Sequence, residues 1–119
     1  MREREAARWT IALINHCVVC QDTRATQGPA EGIDEGFYAE VADWRESEAL
    51  SDRERLAAEI AQRFALDHLT MDDAFFDTMR TAYTDEELAD LSICCGMFLG
   101  LGRMMAVVGV PAPEERILV

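Results

Sequence analysis

Ile14-Asn15-His16-Cys17-Val18-Val19-Cys20-Gln21-Asp22-Thr23-Arg24 decides how this chain folds, because it interrupts the first helical stretch and carries the one strong chemical signal. Asn15-His16 predicts a break in the helix before it. Asn15 suits that junction as an N-cap, its side-chain oxygen accepting from free backbone N–H groups. Cys17 then begins a second helix. Helical geometry brings side chains three residues apart together, so Cys17 and Cys20 can close on each other. A thiolate at a helix start is favoured by unpaired N–H groups and the positive end of the helix dipole. The pair reads as a redox dithiol. Two other readings remain open here: half of a zinc site, which needs two further ligands, and inert core cysteines. His16 and His68 are the two histidines, and Cys94-Cys95 is the other thiol source, set in an apolar run.

Upstream of the break, Glu3 to Ile14 reads as a helix with Ala6, Trp9, Thr10 and Leu13 near one face. Downstream, the short helix from Cys17 to about Ala25 is stopped by Gln27-Gly28-Pro29-Ala30-Glu31-Gly32. Asp34 to Asp43 carries Phe37, Tyr38 and Val41 at helical spacing, with Asp34 as cap or first-turn acid. Trp44 to Leu50 is a connector. Ser51-Asp52-Arg53-Glu54 is a capping box opening a helix to about His68, with Leu56, Ala57, Ile60, Ala61 and Phe64 on one stripe. Thr70-Met71-Asp72-Asp73 starts the next helix, whose apolar positions are Ala74, Phe75, Met79 and Ala82. A second capping box, Thr84-Asp85-Glu86-Glu87, begins the longest helix, which runs to about Val108 and ends at Gly109 and Pro111.

No segment alternates with period two, so the expected class is all-α: a single domain over 1–119 with about six helices. The last helix is apolar nearly all round, which predicts burial on every side. Either it is the central core helix, or a second subunit completes its burial; Gly96, Gly100 and Gly102 would permit close helix approach. A homo-oligomer is the expectation.

Composition narrows the partners. The 119 residues hold 23 acidic and 11 basic side chains, for a net charge of −12, which argues against nucleic acid or an anionic membrane surface. All the basic residues are Arg. Without a lysine amine, Schiff-base and pyridoxal chemistry is excluded. The charged segment Met1-Arg2-Glu3-Arg4-Glu5 leads into no apolar signal core. The apolar run from Leu91 to Gly102 reads as too short to span a bilayer. The expectation is a soluble cytoplasmic protein.

Glu5-x11-Cys17-x2-Cys20, with Ile14-Asn15 before the first cysteine, resembles the carboxymuconolactone decarboxylase superfamily, its alkylhydroperoxidase D-like branch most closely. Glu31-Gly32-Ile33-Asp34, Val41-Ala42-Asp43-Trp44-Arg45, Leu50 to Arg55 and Thr84 to Leu88 agree in order, as does Gly109-Val110-Pro111, so the likeness covers nearly the whole chain. The resemblance implies an alkylhydroperoxidase D-like helical bundle, oligomeric as a dimer, trimer or hexamer. It also implies a thiol peroxidase or disulfide oxidoreductase with no bound cofactor, served by a hydroperoxide substrate and an external dithiol reductant or other disulfide-reducing partner. By position, Cys20 is the attacking thiol, Cys17 the resolving one and Glu5 the relay carboxylate.

The resemblance also implies a relay histidine four residues after the second cysteine, where this chain has Arg24. Arg stays protonated and cannot shuttle a proton, though it can favour a thiolate. His16, beside Cys17, is the candidate substitute base. Arg24 could otherwise hold an anion or pair with Asp22 or Glu5. Geometry constrains Glu5 too: on one straight helix it would lie about 22 Å from Cys20, so it joins the site only if the chain folds back at Asn15-His16 or another subunit supplies it. Besides thiol peroxidase chemistry, a decarboxylase-like enzyme using Glu5, His16 and Arg24, and a non-enzymatic redox-sensing oligomer, remain as readings.

Overall fold

The computed structural model describes residues 1–119 and is an all-α bundle of six helices. They are α1 (Arg2–Ile14), α2 (Val18–Asp22), α3 (Glu35–Ala42), α4 (Asp52–Leu66), α5 (Asp73–Met79) and α6 (Asp85–Val108). Single 3₁₀ turns at Gly28–Glu31 and His68–Thr70 join them.

Local chemistry sets most of the boundaries. Both capping boxes form: Ser51 Oγ accepts from Glu54 N–H while Glu54 accepts from Ser51 N–H, and Thr84 and Glu87 do the same for α6. Asp34 caps α3 by accepting from Phe37 N–H, and Asp72 caps α5 by accepting from Phe75 N–H. Gly109 ends α6 with a positive φ of 71°, a conformation open to Gly because it has no Cβ.

Three expectations need correction. α2 ends at Asp22 rather than near Ala25, because Thr23–Arg24 (β1) leaves the helix to pair in parallel with Ile117–Leu118 (β2). The chain therefore has a two-residue bridge where no strand was expected, tied further by Thr26 N–H to Val119 O at 2.7 Å. His68 and Ala82 lie outside the helices assigned to them.

The largest correction concerns which helix is central. α1 packs against α2, α3, α4 and α6, and every residue from Glu5 to Ala12 is buried. α6 is not the core helix of this chain. It buries Leu88, Leu91, Cys94, Cys95 and Gly102 against α1, α2 and α4, and leaves Ile93, Met97, Leu101, Met104, Val107 and Val108 in solvent. By length and composition α6 could cross a membrane, which the shorter run Leu91–Gly102 did not suggest. α1 can take the central place because its two buried charges, Glu5 and Arg8, pair with each other.

Ser51→Ala should lower stability by about 1 kcal/mol, since one free N–H at the start of α4 loses its acceptor. Urea unfolding with an unchanged slope would read that loss.

Candidate functional site: the Cys17–Cys20 pair

The site begins with a backbone event. α1 stops at Asn15, and His16 takes φ +50°, a left-handed conformation uncommon outside Gly and Asn. The chain turns there and α2 folds back beside α1. Asn15 is not the N-cap of α2. It closes α1 in a right-handed conformation, its N–H donating to Ile11 O while His16 N–H donates to Leu13 O. The N-cap is Cys17, whose Sγ accepts from Cys20 N–H at 3.2 Å. Cys17 and Cys20 are joined by a disulfide with a Cα separation of 5.2 Å.

The freed Asn15 side chain does other work. Its amide donates to Phe98 O and Leu99 O at 3.3 and 3.2 Å and accepts from Arg103 Nε at 3.0 Å, fastening the turn to α6. Gly102 makes that contact possible: a Cβ there would lie 2.7 Å from Asn15 Nδ2 and 3.4 Å from Cys20 Sγ. The Cys20 sulfur thus sits beneath α6. Cys17 lies on the wall of a cavity of about 320 Å³, with His16, Val18, Val19, Met105 and Val110 among its neighbours. A larger depression of about 540 Å³ lies elsewhere, between the start of α1 and the acidic first turns of α6, beside the Arg53 ion pairs to Glu3 and Glu87.

Beneath the dithiol is a buried polar network. Arg8 donates to both carboxylate oxygens of Glu5, at 2.8 and 2.6 Å, and its remaining N–H groups reach Cys20 O at 2.8 Å and Thr23 O at 3.1 Å. Tyr38 completes it, its hydroxyl donating to Glu5 Oε1 at 2.6 Å. Burial alone would raise the Glu5 carboxyl; the hydrogen bonds and charge of Arg8, with Tyr38, outweigh it and hold the group below its ordinary value. Burial, then the Glu5 hydrogen bond and charge, push the Tyr38 hydroxyl up to about 12.

The fold-back thus brings Glu5 beneath the dithiol, as its participation required. Its carboxylate binds Arg8 and Tyr38, and reaches Cys20 through the Arg8 guanidinium. Arg8 and Tyr38 were missed in the sequence. The available signal was the Glu5-x2-Arg8 spacing, which places opposite charges on one helical face. Arg24 is not one helical turn from Cys20 on α2. From β1 its guanidinium lies over the Tyr38 ring at 4.2 Å and binds the carboxylate of Glu35 at 2.9 and 3.1 Å, a carboxylate shared with Arg116. Neither Asp22 nor Glu5 is its ion-pair partner. His16 is exposed and shares the cavity with Cys17. Cys94 and Cys95 are free and buried, and burial raises both thiols, Cys95 to about 12.

The chain is 31% identical over 113 residues to uncharacterized protein YnjA of Escherichia coli (strain K12), an alignment that spans 89% of this chain and 62% of that protein. The chain therefore covers less than two thirds of that relative's length. No family model matches the sequence, and no solved structure does.

Two outcomes are expected of the network. Arg8→Met should destabilise the fold by about 3–5 kcal/mol, because it strands a buried carboxylate; chemical unfolding reads this directly. Glu5 has a folded-state pKa below its unfolded one, so its contribution is present above an unfolded value of about 4.3. That contribution fades as pH falls through the folded-state value. Glu5→Gln should therefore flatten the acid limb of a stability-against-pH curve and leave the neutral-to-alkaline limb unchanged in shape.

Proposed function

We propose that this chain is a thiol-dependent oxidoreductase that cycles Cys17 and Cys20 between dithiol and disulfide, and that it belongs among the alkylhydroperoxidase D-like proteins it resembles, reducing a hydroperoxide. The observation that carries the reading is the pair itself: two cysteines joined at a helix start, one of which, Cys17, lines a cavity.

In this reading the Cys20 thiolate attacks the distal peroxide oxygen. The O–O bond breaks, the alkoxide leaves as an alcohol after gaining a proton, and Cys20 becomes a sulfenic acid. The Cys17 thiol then attacks Cys20 sulfur, forming the disulfide and releasing water. An external dithiol reopens it, entering at Cys17, the cysteine of the pair that lines the cavity. The reductant carries away the oxidising equivalents as its own disulfide.

Proton handling departs from what the resemblance implies. Arg24 stands where the relay histidine would be and is engaged with Glu35, while Glu5 is committed to Arg8 and Tyr38. His16 is the titratable side chain that shares the cavity with Cys17, and it is the proton donor in this reading. A redox sensor that forms the disulfide without turning over is the competing account, favoured by the engagement of Arg24 and Glu5.

Mild peroxide should remove two free thiols per chain, leaving Cys94 and Cys95. Cys17→Ser and Cys20→Ser should each abolish peroxide turnover with a dithiol reductant, and Cys17→Ser alone should accumulate a dimedone-reactive sulfenic acid at position 20. Wild-type rates in both variants would exclude thiol catalysis. Stoichiometric disulfide formation with no sustained turnover would favour the sensor. His16→Gln should slow turnover without preventing disulfide formation.

A further inference from the structure

We propose that Arg103 makes the cavity at Cys17 selective for an organic hydroperoxide that carries a carboxylate. The guanidinium holds the carboxylate and the apolar wall takes the carbon chain. This substrate class rests on the thiol peroxidase reading of the dithiol and adds the substrate's charge to it.

Arg103 stands apart from the other arginines. Eight of the eleven pair with a carboxylate; Arg4, Arg45 and Arg103 do not. Arg45 lies over the Trp44 ring at 4.2 Å, and Arg4 opens on the depression shared with Glu3, Glu86 and Asp90. Arg103 has neither a ring nor a carboxylate. Its one hydrogen bond runs from Nε to Asn15 Oδ1 at 3.0 Å, which leaves both terminal nitrogens free. In a chain of net charge −12 such a guanidinium is the exception. It is also held in place, because the Asn15 amide that accepts from it is itself fastened to Phe98 O and Leu99 O.

That anchor sets the cation beside the dithiol. Asn15 directly precedes His16 and Cys17, which line the cavity. On α6, Arg103 shares a helical face with Ala106 and Val110, three and seven residues further on, and both line the same cavity. The guanidinium thus borders the cavity through the turn and through α6. No acidic residue lies on the cavity wall, and Val18, Val19, Met105 and Val110 make most of it apolar. Its volume of about 320 Å³ is at the small end of the range for organic ligands.

An apolar wall with one fixed cation at its edge suits a carbon chain ending in an anion. A neutral alkyl hydroperoxide fills the wall and leaves Arg103 hydrated; a carboxylate adds a charge-assisted hydrogen bond. Hydrogen peroxide makes neither contact. The acidic chain repels anions at a distance, so the preference comes from contact with Arg103. The thiol cycle is unchanged: the O–O bond breaks at Cys20, and the product is the hydroxy acid with its carboxylate intact.

The test pairs 8-hydroperoxyoctanoate with its methyl ester, which differ in charge and share the reacting group. With a dithiol reductant, the acid should be turned over with roughly tenfold higher kcat/KM, the worth of one charge-assisted hydrogen bond. In Arg103→Gln that ratio should fall to near one. Losing the bond to Asn15 affects both probes alike, so the ratio isolates the contact with substrate. Equal kcat/KM for acid and ester in the parent chain overturns the proposal, as does Arg103→Gln with the parent's ratio. If no hydroperoxide is turned over, the peroxidase reading fails, and equilibrium binding tests the carboxylate site by itself. Octanoate should then shift the Arg103 Nε–H resonance in the NMR spectrum of the parent chain, together with Ala106 and Val110, and octan-1-ol should leave Arg103 unmoved. Octanoate that leaves Arg103 unmoved overturns the proposal, whether or not Arg103→Gln folds.

Discussion

The fold depends on one buried ion pair. α1 is surrounded by other helices, and it could not be while carrying Glu5 and Arg8 unless those charges met each other. Desolvating either alone costs several kcal/mol. Set three residues apart on one face, they meet in two hydrogen bonds, and the guanidinium still has N–H groups to spare. Those reach Cys20 O and Thr23 O, so the pair that lets α1 be central also seats α2 and the start of β1 against it. Tyr38 brings α3 to the same carboxylate. A single satisfied polar cluster thus joins three helices, and removing one member leaves the others unpaired in low dielectric.

Closure over the dithiol uses a second, independent set of contacts. The left-handed turn at His16 reverses the chain, and Asn15 ties that turn to the carbonyls of Phe98 and Leu99. Gly102 lets α6 come down onto Asn15 and the Cys20 sulfur. Glycine inside a helix costs about 1 kcal/mol against alanine. At this position the close packing is the compensation.

How legible this was depended on range. Both capping boxes, the Asp34 cap, the break at Asn15-His16 and the order of six helices follow from residues within a few positions of each other, and each was readable. Which helix is central is a long-range question, and polarity left it open. Arg8 drew no attention in the sequence because its pairing with Glu5, three residues earlier on the same face, was not considered. α6, apolar nearly all round, was read as buried on every side either by its own chain or by a second subunit, and within this chain one face is covered. Asn15 was the right residue for the junction in the wrong role: the cap is the Cys17 sulfur, and Asn15 looks outward to α6. The Glu35 partner of Arg24 lies eleven residues away, across an intervening turn, and no periodicity announces it.

The same contacts bear on what the dithiol can do. The backbone is anchored on both sides of the pair: Cys17 N–H bonds to Ala12 O at 3.2 Å, and Cys20 O accepts from Arg8 at 2.8 Å. With the two Cα atoms held 5.2 Å apart by bonds that do not involve sulfur, opening the disulfide needs side-chain rotation and little else. Such a framework keeps the effective concentration of one thiol at the other high after reduction, as pre-organisation requires. The partners of Arg8 are a carboxylate and two backbone carbonyls, none of which takes part in thiol chemistry. In the proposed thiol cycle, exchange is placed at Cys17, on the cavity side, and the Arg8 network lies on the other side of the pair, at the Cys20 carbonyl.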